Sequence, residues 1–258
     1  MKNITIVTAY MEIPKKKFTS SIYYNWIKNY LEILKETRIV IYTNSDKIFE
    51  LIKEIRKDYL EYTKIIKVNI EDLYCYKYIN YFKKDYDRDP ERYHDPLLYL
   101  IWNNKTSFIY ETYKKKYFDT ELYAWTDIGM IRDDKTYKIL KELLPLNNIE
   151  KINKKKVYLL EVEKFIEKEL NYIEEKPYKF NDNRCGGGVI LCSKENIEEF
   201  NKKYYVMIDK FIEYDIFSGK DQNILNNLYI KNKEKIELVE PKKSPFDKWF
   251  YMLYYMIK

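Results

Sequence analysis

The sequence predicts an α/β fold: a central, mixed and mostly parallel sheet flanked by helices. Three observations predict it. From Ile4 to Asn69, short apolar runs of strand type alternate with segments whose apolar residues recur at helical spacing, which argues for a parallel, Rossmann-like half. The run RIVIYT, Arg38–Thr43, is of the buried type found where helices cover both faces of a sheet. Finally, 258 residues that are 46% hydrophobic and 34% charged form an ordinary globular balance, enough for a substantial core.

Each element has its own signal. Ile4–Ala9 reads as the first strand, followed by a lysine-bearing loop with Pro14. Thr19–Leu34 has helical spacing, with Thr19 or Ser20 as its cap. After the strand Arg38–Thr43, Asn44-Ser45-Asp46 caps an amphipathic helix, and Thr63–Asn69 is a third strand. Asp95-Pro96 starts a helix, with the carboxylate as cap and proline in the first turn, and this helix is expected to run to about Lys116. The strand ELYAWTD follows, then a short helix over Lys135–Leu144 and strands over Val157–Glu163 and Gly187–Cys192. Helices over Glu195–Tyr214 and Asp221–Tyr229 and a strand over Ile236–Glu240 complete the order. No internal repeat, low-complexity linker or clean domain boundary interrupts it.

Charge and cysteine content exclude little but rank the classes. The net charge is +6, from 47 basic and 41 acidic residues, and with many aromatics this admits phosphate and base contacts to nucleic acid. Lysine and glutamate alternate throughout, however, so a solvated mixed surface is the simpler reading. Cys75, Cys185 and Cys192 form no even disulfide framework and no C-x-x-C pair, which fits a reduced compartment. The opening MKNITIVTAY lacks the apolar core of a signal peptide, and no apolar run reaches membrane-spanning length. A soluble, cytoplasmic protein is expected. The tail SPFDKWFYMLYYMIK is rich in aromatics, and either core packing or peripheral contact with a membrane or partner is open to it.

The glycines are more informative. There are only five, Gly129, Gly186, Gly187, Gly188 and Gly219, and they fall in three candidate loops. Glycine is needed where φ is positive or where backbone must come close to another group, so the three loops are candidate walls of one pocket. Asp127 and Gly129 end a strand, where open α/β sheets bind ligands; Asp127 there can bind a metal, accept a ribose hydroxyl, or merely cap a turn. Gly186–Gly188 suit a sugar or phosphate lying across the backbone, or a bulge. Arg184 beside them can meet an anion. Asp221 and Gln222 start a helix and can face a cleft, or Asp221 is its cap. Asp209, Glu213 and Asp215 are expected at the surface.

Other chemistries lack their residues. No G-x-x-x-x-G-K-[ST] or G-x-G-x-x-G is present. His94 is the only histidine, which leaves little for a histidine-rich metal site or a Ser-His-Asp triad, and it is expected in a surface loop.

Taken in order, TIVTAY, IVIYT, Y-x-x-x-W-N-N-K, W-T-D-I-G-M-I-R, C-G-G-G-V-I and G-K-D-Q-N-I-L-N resemble the HtrL/YibB-like group of bacterial proteins, itself similar to glycosyltransferases of the GT-A fold. The match extends from about Thr5 to Tyr229. It implies one GT-A-like domain over 1–258, with a nucleotide-binding half to about 130 and an acceptor half with the aromatic tail after it. It also implies sugar transfer from a nucleotide sugar, UDP-sugars first, to a glycan, lipid-linked or protein acceptor. No nucleic-acid partner is expected.

By the same resemblance Thr8, Ala9, Tyr10 and Thr43 border the base, Trp125 and Asp127 lie at the donor, and Gly187 and Gly188 line the sugar site. Asp221 and Gln222 face the reacting carbon, with Asp221 as the base of an inverting enzyme. Lys105 and Arg132 are chosen for the diphosphate on charge and position. Gly129 stands where the family pattern D-x-D has its second acid, so a Mn²⁺ or Mg²⁺ ion would rest on Asp127, helped by a residue such as Asp221. Two alternatives remain: a catalytically silent nucleotide- or sugar-binding domain, and a basic nucleic-acid-binding protein.

Overall fold

The computed structural model describes residues 3–14, 18–89, 91, 94–143, 152–242 and 248–257. Strand β1 (Ile4–Tyr10) is buried along its length and leads into helix α1 (Ser20–Ile33). Strand β2 (Arg38–Thr43) follows, and Ser45 caps α2 (Asp46–Ile55) by accepting from the Ile48 amide. Thr19 occupies the cap position of α1 without a capping bond, its hydroxyl meeting Ser21 instead. Strand β3 (Thr63–Lys67) closes the first half of the sheet, two residues short of the expected end.

Helix α3 (Ile79–Arg88) leads to the segment around His94. Asp95 then caps α4 (Pro96–Asn103) through the Leu97 amide, 2.8 Å away, with Pro96 in the first turn. The single long helix expected here is two. It breaks at Asn104, and α5 (Lys105–Lys114) starts anew. The cause is side-chain competition for backbone partners: Asn103 Nδ2 donates back to the Tyr99 carbonyl and on to those of Ser218 and Gly219, while Asn104 Oδ1 accepts from the Cys75 amide.

The remaining elements are β4 (Leu122–Thr126), α6 (Asp134–Leu143), β5 (Val157–Glu161), α7 (Glu167–Leu170), β6 (Cys185–Ser193), α8 (Ile197–Glu213), α9 (Asp221–Lys231), β7 (Ile236–Val239) and α10 (Tyr251–Ile257). Together the strands form a seven-stranded sheet in the order β3-β2-β1-β4-β6-β5-β7. β6 runs antiparallel to both its neighbours and every other pairing is parallel, so the sheet is mixed and mostly parallel as expected.

Alternation along the strands builds one apolar layer on each face. Ile4, Ile6, Ile39 and Ile41 pack against α1 and α2, and the same layer continues to α10 through Tyr251, Met252, Leu253 and Met256. Those tail side chains are buried, so core packing is the role the structure gives them. Val7, Val40, Trp125 and Ile190 face α5, α8 and α9. Among the described residues no helix is long and apolar enough to cross a membrane.

Candidate functional site

The parallel pairing of β1 with β4, Val7 opposite Trp125, brings the carboxyl ends of both strands to one edge of the sheet. Beyond them lies a cavity of about 370 Å³, within the range of small-molecule sites. Its wall is aromatic, with Tyr10, Phe18, Tyr23, Trp102 and Trp125. Its polar members include Asp127, Lys105, Arg132 and His94.

Asp127 is the first residue past β4, and its amide donates to the Gly188 carbonyl at 2.9 Å, which fixes it against β6. Its Oδ1 accepts from the Trp125 indole N–H at 2.8 Å. The same oxygen lies 3.3 Å from Lys105 Nζ, which also reaches Asp221 Oδ2 at 2.8 Å and donates to the Gly187 carbonyl at 2.8 Å. Lys105 and Asp221 side chains are each 4% exposed and Asp127 37%, so the junction is sealed except on the Asp127 side. Burial pulls the Lys105 pKa down, but Asp127 and Asp221 more than offset it, and the ammonium is held above its ordinary value. Burial raises the Asp221 carboxyl above its ordinary value, with Lys105 pulling the other way.

Gly187 is what lets this junction close. A Cβ there would sit 2.1 Å from Asp221 Oδ2, closer than real atoms come. No described glycine has positive φ, so the reason for Gly187 is close approach and not backbone strain. The three glycines lie inside β6, not in a loop ahead of it. The pairing with β5 slips there, Leu159 facing Ile190 and Leu160 facing Gly186, which is the irregularity of a bulged strand. By contrast, a Cβ at Gly129 would meet only ordinary contacts.

The strip Ser218–Asp221 docks onto the helices beside the cavity residue by residue. Ser218 donates to Asp85 through its amide and hydroxyl, and the Gly219 carbonyl accepts from Asn103. Lys220 reaches Glu91 at 2.6 Å, and Asp221 meets Lys105. Asp221 is neither cleft acid nor cap: it is the first residue of α9, buried behind Lys105 and outside the cavity wall, and Gln222 does not line the wall either.

His94 departs furthest from expectation. It is buried, 6% exposed, and lines the cavity. Its Nδ1 lies 2.7 Å from Asp89 Oδ2, an oxygen that Tyr99 also donates to, and Asp89 Oδ1 accepts from the Glu91 amide. Burial works against the Asp89 carboxylate, but these bonds and nearby Lys220 hold its pKa below the usual range. A carboxylate on Nδ1 fixes ring orientation and tautomer, which is the arrangement that makes an imidazole a defined proton acceptor. The surface-loop expectation fails because His94 is held inward by Asp89, which Tyr99 and the Glu91 amide hold in turn. The signal that could have found it is the acid and the tyrosine, Asp89 and Tyr99, each five residues from the chain's one histidine.

Other expected site residues scatter. Ala9, Tyr10, Trp125, Asp127, Gly129 and Arg132 line the cavity. Thr8 and Thr43 are fully buried and bonded internally, Thr8 to the Thr126 carbonyl and Thr43 to the Ser45 amide. Gly187 and Gly188 stand behind the wall. Arg184 meets no open anion site; it is paired to Glu169 through three bonds. Arg132 is exposed at the rim, its guanidinium 4.9 Å from the Trp26 ring and 5.6 Å from that of Phe250. Asp209, Glu213 and Asp215 are exposed, as expected.

Two groups bear on a metal. An ion shared by Asp127 and Asp221 does not fit, because the Lys105 ammonium already stands between them. Asp89, Glu91 and His94 offer ligand atoms within 4.8 Å of one another, but Lys220 Nζ is 2.6 Å from Glu91 and 4.0 Å from Asp89. There too a lysine already supplies the positive charge.

Residues 2–253 match the family described as HtrL_YibB, bacterial protein of unknown function, and the chain belongs to that family. This bears out the resemblance carried by the ordered motifs. A comparison with curated proteins finds no match. Among solved structures the chain is similar to the apo form of mouse xyloside xylosyltransferase 1, with 10% identity and a TM-score of 0.42 over 91% of this chain and 84% of that one.

Proposed function

We propose that this member of the HtrL_YibB family moves a sugar from a nucleotide-sugar donor, a UDP-sugar first among the candidates, to a hydroxyl of a glycan, lipid-linked or protein acceptor. The observation that supports it is the cavity at the carboxyl ends of β1 and β4, where an aromatic wall, the Asp127 carboxylate and the exposed Arg132 guanidinium converge. Flat rings suit the faces of a base and a sugar. Asp127 can accept hydroxyls of ribose or sugar, and Arg132 can grip phosphate oxygens with paired N–H groups.

In the transfer, the bond from the anomeric carbon to the diphosphate oxygen breaks and its electron pair leaves with the nucleoside diphosphate. The acceptor oxygen bonds to that carbon and its proton passes to a base. Fixed positive charge aimed at the leaving group lowers the barrier, the part Arg132 would play. For the base, His94 held by Asp89 is better placed than Asp221, which is sealed from the cavity.

Thermal denaturation with UDP-, GDP- and CMP-sugars tests the reading, run with Mn²⁺ and with EDTA. A donor that binds the folded chain raises Tm by mass action. No shift with any of them would overturn the proposal. The sealed position of Asp221 favours a second reading, a nucleotide- or sugar-binding domain without turnover. Nucleotide release in the presence of acceptor mixtures separates the two: a binder shifts Tm yet releases nothing.

A further inference from the structure

We infer that Lys105 is the resident cation of the candidate site, held in the place that a divalent ion shared by Asp127 and Asp221 would take, so that ligand binding in this cavity needs no such metal. The donor-binding part of this inference rests on the sugar-transfer reading; the cation part does not.

Three oxygens surround the Lys105 ammonium: Asp221 Oδ2 at 2.8 Å, Asp127 Oδ1 at 3.3 Å and the Gly187 carbonyl at 2.8 Å. Two carboxylates and a carbonyl, brought by three separate chain segments, are the oxygen set that a hard divalent cation would use. The ammonium is not a transient visitor. Its side chain is 4% exposed, it stands at the first position of α5, and the missing side chain of Gly187 gives the facing carboxylate its room. A metal at the same place would meet a positive charge within bonding distance, with little water to screen it.

The local pattern leaves no second acid to compensate. Gly129 stands two residues after Asp127, and the Asp127 oxygen nearest the ammonium also accepts from Trp125. Counting charge at the junction, one ammonium against two carboxylates leaves one negative charge, carried toward the cavity by half-exposed Asp127. The arrangement recurs beside His94, where Lys220 sits among Asp89 and Glu91. Both acid clusters therefore carry an internal lysine, and the charge of a bound phosphate falls to groups at the rim such as Arg132.

The test uses the purified full chain with Mn²⁺ alone, followed by calorimetry and by the electron-spin signal of free Mn²⁺, then with UDP in EDTA or in Mn²⁺. The wild type is expected to show no Mn²⁺ site that Asp127→Asn removes, and any UDP affinity should change by less than about threefold between EDTA and Mn²⁺, well under the tenfold that one strong contact supplies. Lys105→Met should gain a Mn²⁺ site, and Asp221→Asn added to it should remove that site. A wild-type Mn²⁺ site abolished by Asp127→Asn would overturn the inference, as would UDP binding that strengthens about tenfold or more with Mn²⁺. A folded Lys105→Met chain that gains no Mn²⁺ site would also overturn it. Should Lys105→Met fail to fold, the wild-type measurements decide alone. If UDP binds under neither condition, the sugar-transfer reading loses its support, while the Mn²⁺ measurements still decide this one.

Discussion

The two halves of the chain treat the candidate site differently. Its cavity wall is drawn, among the described residues, from Ala9 to Arg132 alone. Beyond Arg132 the described residues add nothing to the wall, and instead bring counter-charges and close backbone from behind: Asp221 and Gly187 at Lys105, Lys220 at Glu91, and Ser218 at Asp85. What faces a ligand comes from the ends of β1 and β4 and from α1, α4, α5 and the residues at His94, while Asp221 and β6 hold Lys105 and Asp127 from behind. These contacts from behind brace the wall at Lys105 and Asp127.

Breaking the brace should have the largest effect. Lys105→Met leaves Asp221 buried without its partner, and a loss of about 3–5 kcal/mol in urea denaturation is expected. Adding Asp221→Asn should restore a large part of it; a Lys105→Met cost under about 1 kcal/mol would mean that the junction does not couple the halves. On the wall the expectation reverses. Asp127→Asn should lower turnover about 100-fold while Tm stays nearly unchanged, since its role there is toward ligand. Equal losses of fold and turnover would erase the distinction between wall and brace.

Glycine gives a smaller and sharper version of the same contrast. Gly187→Ala forces a Cβ against Asp221 and should cost about 1–3 kcal/mol. Gly129→Ala, on the wall with ordinary contacts, should stay within about 0.5 kcal/mol. The smallest effect is in acid. Asp89 has its folded pKa below the unfolded value of about 3.9, so its contribution is complete above that pH and is lost as pH falls through the folded pKa. Asp89→Asn should flatten that part of the stability-against-pH curve. An unchanged acid limb would show that the His94–Asp89 contact adds nothing to stability.

Much of this was legible in the residues because it is local. The strand β2 begins and ends where the apolar run RIVIYT does, and Ser45 and Asp95 cap the helices that their positions announce. Asp127 stood out because it ends a buried strand two residues before a glycine, at the edge where open α/β sheets bind ligands. The helix break at Asn104 was not legible, since its cause is a set of carbonyls and amides from Cys75, Ser218 and Gly219 that lie far away in sequence. His94 differs: Asp89 and Tyr99 lie only five residues to either side of it, and its burial still depends on how α4 packs.

The sequence by itself determined the α/β class, the order of elements and the family, because alternation, capping and ordered motifs act over a few residues at a time. Only the tertiary structure decided what the glycine strings and the G-K-D-Q string are for. Gly187 is small because Asp221 comes within a Cβ's reach of it, and Asp221 is buried with Lys105 as its partner. Neither fact has a local signature, since each rests on contacts between groups more than thirty residues apart, whose desolvation makes pairing compulsory.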